Sequence, residues 1–116
     1  MDNKEFSRLL EKRTRDFGVR IIRLSAALPD TPEAREIRRQ ISKSGPSVGA
    51  NYREANRARS KADFKSKIKI CQSEASETKY WLEMIGELKW LSRERLEPEY
   101  AECGELLAIF SSIGKK

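Results

Sequence analysis

The chain has 116 residues, 36% of them charged and 38% hydrophobic, with 6 glycines, 4 prolines, no histidine and a net charge of +6. That length fits one domain with one core, and the balance excludes disordered and fibrous classes. No stretch approaches the ~20 apolar residues of a membrane span, and the opening MDNKEFSRLLEKR is too charged for a secretory leader, so a cytoplasmic protein with no membrane partner is expected.

Phe6, Leu10, Phe17, Ile21, Leu24 and Leu28 recur at steps of three and four, with Arg13 at the one polar step, and predict a helix over residues 5–28. Gly18 inside it is a sign of close packing. Pro29-Asp30-Thr31-Pro32 ends this helix and starts the next, with Thr31 as N-cap and Pro32 in the first helical position. Ala34, Ile37, Ile41, Ser44, Val48, Tyr52 and Ala55 then keep helical phase through Gly45-Pro46. A loop there would shift the phase, so one helix over 33–57, kinked at Gly45-Pro46, is preferred to two helices and a turn. The small residues around the kink allow a neighbouring backbone to come close.

Ser60-Lys61-Ala62-Asp63 is a capping-box variant, and Phe64, Ile68, Cys71, Ala75, Thr78, Leu82 and Ile85 alternate by four and three, predicting a third helix over 61–91. Its second half, Tyr80 to Leu91, is apolar around most of its circumference. Ile70, Trp81, Leu88 and Trp90 lie off the core stripe, and either bury a central helix or meet another subunit; self-association is the preferred reading. The fourth helix is expected over 98–113, with Tyr100, Cys103, Leu107 and Phe110 as its stripe and Gly114 as its stop. Short connections between four amphipathic helices predict an all-α, antiparallel up-and-down bundle in a single domain, 1–116.

Catalytic patterns are missing. Without histidine the commonest base and zinc ligand are gone, and no nucleophile elbow, Gly-rich phosphate loop or calcium loop occurs. Cys71 and Cys103 fall on apolar stripes and read as small buried hydrophobes. Glu74, Glu77, Glu83 and Glu87 lack the Glu-x-x-His elements of a di-metal bundle, so no enzyme activity, metal or cofactor is expected. Charge is more informative. Residues 33–69 hold 11 basic and 4 acidic side chains, a surplus of +7, whereas residues 70–116 hold 6 and 9, a deficit of −3. Arg35, Arg39, Lys43, Arg53 and Arg57 project onto the side of the second helix opposite Ile37, Ile41 and Val48. Arg59, Lys61, Lys65 and Lys69 extend that surface onto the third helix. The stripe is either a solvated face or a phosphate-binding footprint for RNA or DNA. Tyr52 is its only aromatic neighbour and lies on the core side, which gives base stacking little support.

Ser47-Val48-Gly49-Ala50-Asn51-Tyr52-Arg53-Glu54, followed by Arg59-Ser60 and Phe64, resembles the signature S-(V/I)-x-x-N-x-x-E of the 23S rRNA-intervening-sequence protein family, a family of four-helix bundles. The resemblance runs from Phe17 through the last helix. Where the family pattern has Gly after the Glu, this sequence has Ala55, so the helix continues to about Arg57. The resemblance implies a homopentamer around a central channel and singles out Asn51 and Glu54, which could equally cap or cross-link helices. A related group serves as accessory proteins of diversity-generating retroelements, binding a reverse transcriptase and nucleic acid. The function expected is a non-catalytic, self-associating scaffold for nucleic acid, or else an accessory subunit that docks a nucleic-acid enzyme without touching the polymer.

Overall fold

The computed structural model describes residues 2–116. Four helices follow one another: α1 (Asn3–Ala26), α2 (Pro32–Ala55), α3 (Lys61–Glu87) and α4 (Arg93–Gly114). A short oxygen-bearing side chain opens each of them. Asp2 accepts from the Glu5 N–H at 2.7 Å, Thr31 from Ala34 at 3.1 Å, Ser60 from Asp63 at 3.0 Å and Ser92 from Arg95 at 3.2 Å. Each cap satisfies a donor that the first helical turn leaves unpaired.

The molecule measures 44 × 25 × 20 Å. Its long axis therefore matches the ~40 Å of a 27-residue helix, and the helices run its full length. Neighbours in sequence are neighbours in space, and α1 meets α4 along a thinner seam. The chain goes up, down, up and down, so the start of α1, the end of α2, the start of α3 and the end of α4 share one end of the bundle. One core serves all four helices, with Phe17, Ile21, Tyr52, Ile68, Ile85 and Phe110 among its largest members. Ser44 and Thr78 cross that core from α2 to α3, and their hydroxyls share a 2.8 Å hydrogen bond.

As the unbroken phase predicted, α2 continues as one helix through Pro46. The small residues there meet α1. A Cβ at Gly45 would lie 2.6 Å from Ile21 Cγ2, one at Gly49 3.0 Å from the Thr14 hydroxyl, and one at Gly18 3.1 Å from the Pro46 Cα. Glycine on each helix thus makes room for a bulkier group on the other. Thr14, fully buried, donates to the Leu10 carbonyl at 2.9 Å and fills the stripe position beside Arg13. Arg13 instead reaches across the α1–α4 seam to Glu102 at 2.7 Å and Glu105 at 3.3 Å. Farther along, Arg20 and Arg95 both pair with the buried Glu99; Arg95 hydrogen-bonds Oε2 at 2.9 Å, and Arg20 closes on Oε1 outside hydrogen-bond geometry.

Several boundaries differ from the sequence expectation. The first helix ends at Ala26 and not 28, and the second ends at Ala55 with Asn56 as its C-cap instead of continuing to about Arg57, because the Arg57 and Ala58 N–H groups turn back to the Glu54 and Ala55 carbonyls, each at 3.0 Å. The fourth helix begins at Arg93, a turn and a half before Pro98, because Ser92 supplies the cap and Leu96 is buried in the first turn. Pro98 then forfeits only one internal hydrogen bond, to the Glu94 carbonyl. The third helix stops at Glu87 instead of 91. Trp90 N–H bonds the Ile85 carbonyl at 3.2 Å and Lys89 N–H the Gly86 carbonyl at 3.1 Å, with Lys89 at φ 59°. This is a Schellman ending in which lysine stands where glycine is usual.

Candidate functional site

The nine predicted cations divide by what they face. Arg35 pairs with Asp30 at 3.1 Å and Arg39 with Glu36 at 2.7 Å, both near the α1–α2 turn. Lys43, in the middle of α2, lies near Glu74 of α3. Burial, then repulsion from Glu77, pushes the Glu74 carboxyl above its usual range, while the Ser47 hydroxyl and Lys43 pull it down. The other six, Arg53, Arg57, Arg59, Lys61, Lys65 and Lys69, have no ion-pair partner among the described residues. They gather where α2 ends and α3 begins. Arg35 and Arg39, near the α1–α2 turn, are thus held by carboxylates, whereas these six without an ion pair lie toward the end where α2 gives way to α3.

That end is open. A cavity of about 770 Å³ lies between the start of α1, the α2–α3 connection and the end of α4. Phe6, Tyr52 and Phe64 contribute rings to its wall, and Lys61, Lys65 and Lys116 contribute charge. Phe6, placed on the core stripe by its spacing, is 40% exposed because no fourth wall covers it. The sequence hid this meeting of aromatic and basic groups, since Phe6 and Lys116 are brought to the α2–α3 connection only by the up-and-down topology.

A second opening of about 430 Å³ runs between α1 and α2, with Val19, Ile22 and Pro46 along it and Arg15, Arg23 and Arg53 at its edges. Arg15 and Arg23 are cations that the sequence pattern did not single out. On the outer side of α3, Ile70 and Leu88 are exposed, whereas Trp81 and Trp90 are half-buried against the core. Trp81 Nε1 donates to Glu77 at 3.2 Å. Of the signature positions, Asn51 is half-buried and donates to the Ser47 carbonyl of its own helix at 2.9 Å, and Glu54 is exposed.

Cys71 and Cys103 are fully buried, and burial pushes each thiol up to about 12, which keeps both protonated at neutral pH and withholds the nucleophilic thiolate. Cys103 Sγ lies 3.1 Å from the Ala75 carbonyl. Among the described residues no group of three or more Cys, Asp or Glu side chains could hold a metal ion, and no helix is long and apolar enough to cross a membrane.

Residues 9–112 match the model of the 23S rRNA-intervening sequence protein family. The chain belongs to that family. The intervening-sequence chain is also similar to a crystal structure described as a protein with unknown function from the S23 ribosomal protein family of Bacteroides thetaiotaomicron VPI-5482. The two are 37% identical with a TM-score of 0.85, over 91% of this chain and 98% of that one. No curated protein matches the chain. Within the intervening-sequence fold, the signature from Ser47 to Glu54, with Arg59, Ser60 and Phe64, spans the end of α2 and the start of α3. The residues that carried the resemblance thus lie at the end where the unpaired cations gather.

Proposed function

We propose that this protein is a non-catalytic, self-associating cytoplasmic scaffold that binds nucleic acid through the basic end of its bundle. The observation that carries the reading is that Arg53, Arg57, Arg59, Lys61, Lys65 and Lys69, six of the nine cations singled out from the sequence, have no ion-pair partner among the described residues. A side chain already held by a carboxylate gains less from a phosphate than a free one, and six free cations concentrated over the ends of two helices form a phosphate-binding footprint. The names of the family and of its structural neighbour both refer to the ribosome, which makes RNA the first polymer to test. Self-association is supported by the exposed Ile70 and Leu88 on α3 and by the uncovered Val19 and Ile22 on α1. The homopentamer implied by family resemblance is the assembly proposed.

A salt titration of RNA affinity tests this. With six phosphate contacts, log affinity is expected to fall linearly with log salt at a slope of roughly −4 to −5. Replacing Arg57 and Arg59 by Gln should flatten it by about two, and no retention of RNA or DNA at low salt would refute the reading. The groove between α1 and α2 favours a second reading, an accessory subunit that docks a nucleic-acid enzyme by that groove. Its mark would be an enzyme complex that survives Arg57→Gln/Arg59→Gln and Leu88→Asp, which breaks self-association without touching the groove, and is lost in Val19→Asp.

A further inference from the structure

The cavity at the basic end combines three features that phosphate binding alone does not use. Rings of Phe6, Tyr52 and Phe64 come to it from three different helices. Tyr52, only 2% exposed, still lines the cavity. Polar groups interrupt the apolar wall, including Asn56 and Ser112. Asn56 spends its side-chain N–H on Glu11 at 2.8 Å, which leaves its carbonyl oxygen free.

We infer that this cavity receives an unpaired base of a single-stranded nucleic acid, with Phe6 as a stacking ring and Lys61, Lys65 and Lys116 on the flanking phosphates. The inference rests on the nucleic-acid reading above and narrows it to unpaired strands. A volume of about 770 Å³ falls within the ~300–1,000 Å³ of ligand sites and is open to solvent, so a base can approach it from outside the bundle. A paired base cannot, because its faces are stacked within the duplex. A purely apolar tail would leave the Asn56 and Ser112 groups unsatisfied, whereas a base edge offers donors and acceptors to them. Outside the cavity, Arg57 and Arg59 continue the positive surface, as a backbone running out of a pocket requires.

Fluorescence anisotropy with three probes tests this: a labelled oligouridylate, the same oligomer with abasic sites, and an RNA duplex of equal length. Wild type is expected to bind the oligouridylate about tenfold more tightly than the abasic oligomer, the size of one stacked base. Phe6→Ala should erase that margin and leave the salt slope unchanged, whereas Phe6→Tyr, which keeps the ring, retains it. Phe6 lies outside the buried core, so an unaltered circular dichroism spectrum is expected for both variants. Lys65→Gln should lower the slope by about one. Equal affinity for all three probes, unmoved by Phe6→Ala, overturns the pocket and leaves the basic end standing. No binding to any probe at low salt overturns both readings. Retention on phosphatidylglycerol vesicles that Phe6→Ala abolishes, with no preference among the oligomers, would assign the end to a lipid surface and overturn the inference.

Discussion

A methyl group added at Gly45 would lie 2.6 Å from Ile21 Cγ2, whereas one at Gly104 would meet nothing within 4 Å. Both glycines are helical, so alanine gains ~1 kcal/mol of propensity at either position. At Gly104 nothing opposes that gain, and Gly104→Ala should raise stability by up to about 1 kcal/mol. At Gly45 the new carbon needs space that the branched Ile21 cannot vacate by a rotamer change, and overpacking of this kind costs ~1–3 kcal/mol. With the first contact at 2.6 Å the steric cost outweighs propensity, and Gly45→Ala is expected to lose up to about 2 kcal/mol net. Urea midpoints at constant slope measure both. A Gly45→Ala midpoint equal to that of Gly104→Ala would mean that α1 and α2 can part without loss. The same reasoning explains a proline in mid-helix. Pro46 sits where Gly18 of α1 leaves room for its ring, so the hydrogen bond it deletes is offset by packing that a larger α1 residue would forbid.

Helix α3 ends at a residue that offered no warning. Lys89 adopts φ 59°, a conformation that costs a residue with a Cβ ~1–2 kcal/mol relative to glycine. Glycine also loses more backbone freedom on folding, so Lys89→Gly is expected to stabilise by about 0.5–1 kcal/mol net. For a domain this size that raises the melting temperature by a few degrees, since 1 kcal/mol shifts it by ~4–8 °C in chains of 60–100 residues. An unchanged or lower melting temperature would show that the Lys89 side chain contributes a contact there. Because a lysine fills the place of the expected glycine, the apolar run through Leu91 reads as helix until the coordinates show the Schellman bonds. Pro98 misleads in the other direction: proline favours a first helical turn, yet the cap belongs to Ser92 and the proline is carried inside α4. The spacing of the buried stripes, by contrast, is a local property of each helix, and Ile68 to Ile85 on α3 are buried as their steps of three and four require. The site was legible only as a set of residue types. Lysine and arginine between Arg53 and Lys69 could be counted from the sequence. Which of the predicted cations are free could not, because Arg35 is held by Asp30, a carboxylate that the α1–α2 turn brings to it.

At the scale of the molecule, charge and apolar surface are distributed unequally around the bundle. Arg13 and Arg20 of α1 answer Glu102, Glu105 and Glu99 of α4, so the surplus of one helix is cancelled by the other across their seam. What remains uncancelled is the basic end and the groove edged by Arg15, Arg23 and Arg53. The outer line of α3 carries Ile70, Glu77 and Trp81 and is continued by Leu88 at its C-cap; at 100° per residue they fall within an arc of about 40° and so share one face. An apolar line bearing a carboxylate on one copy suits an apolar groove bearing arginines on the next. Such a contact joins two different patches, and contacts between unlike patches close into rings when the rotation allows. The proposed self-association therefore makes a sharper prediction than loss of mass. Leu88→Asp damages the line and keeps the groove, and Val19→Asp does the reverse. Both residues are exposed, at 46% and 44%, so neither change empties the core. Each variant alone is expected to scatter light as a single chain. Mixed in equal amounts, they retain one intact line and one intact groove between them and should give a species of twice the single-chain mass that grows no further. A mixture that stays monomeric would mean that the line and groove do not meet. Either variant alone holding the wild-type mass would place the contact elsewhere on the bundle.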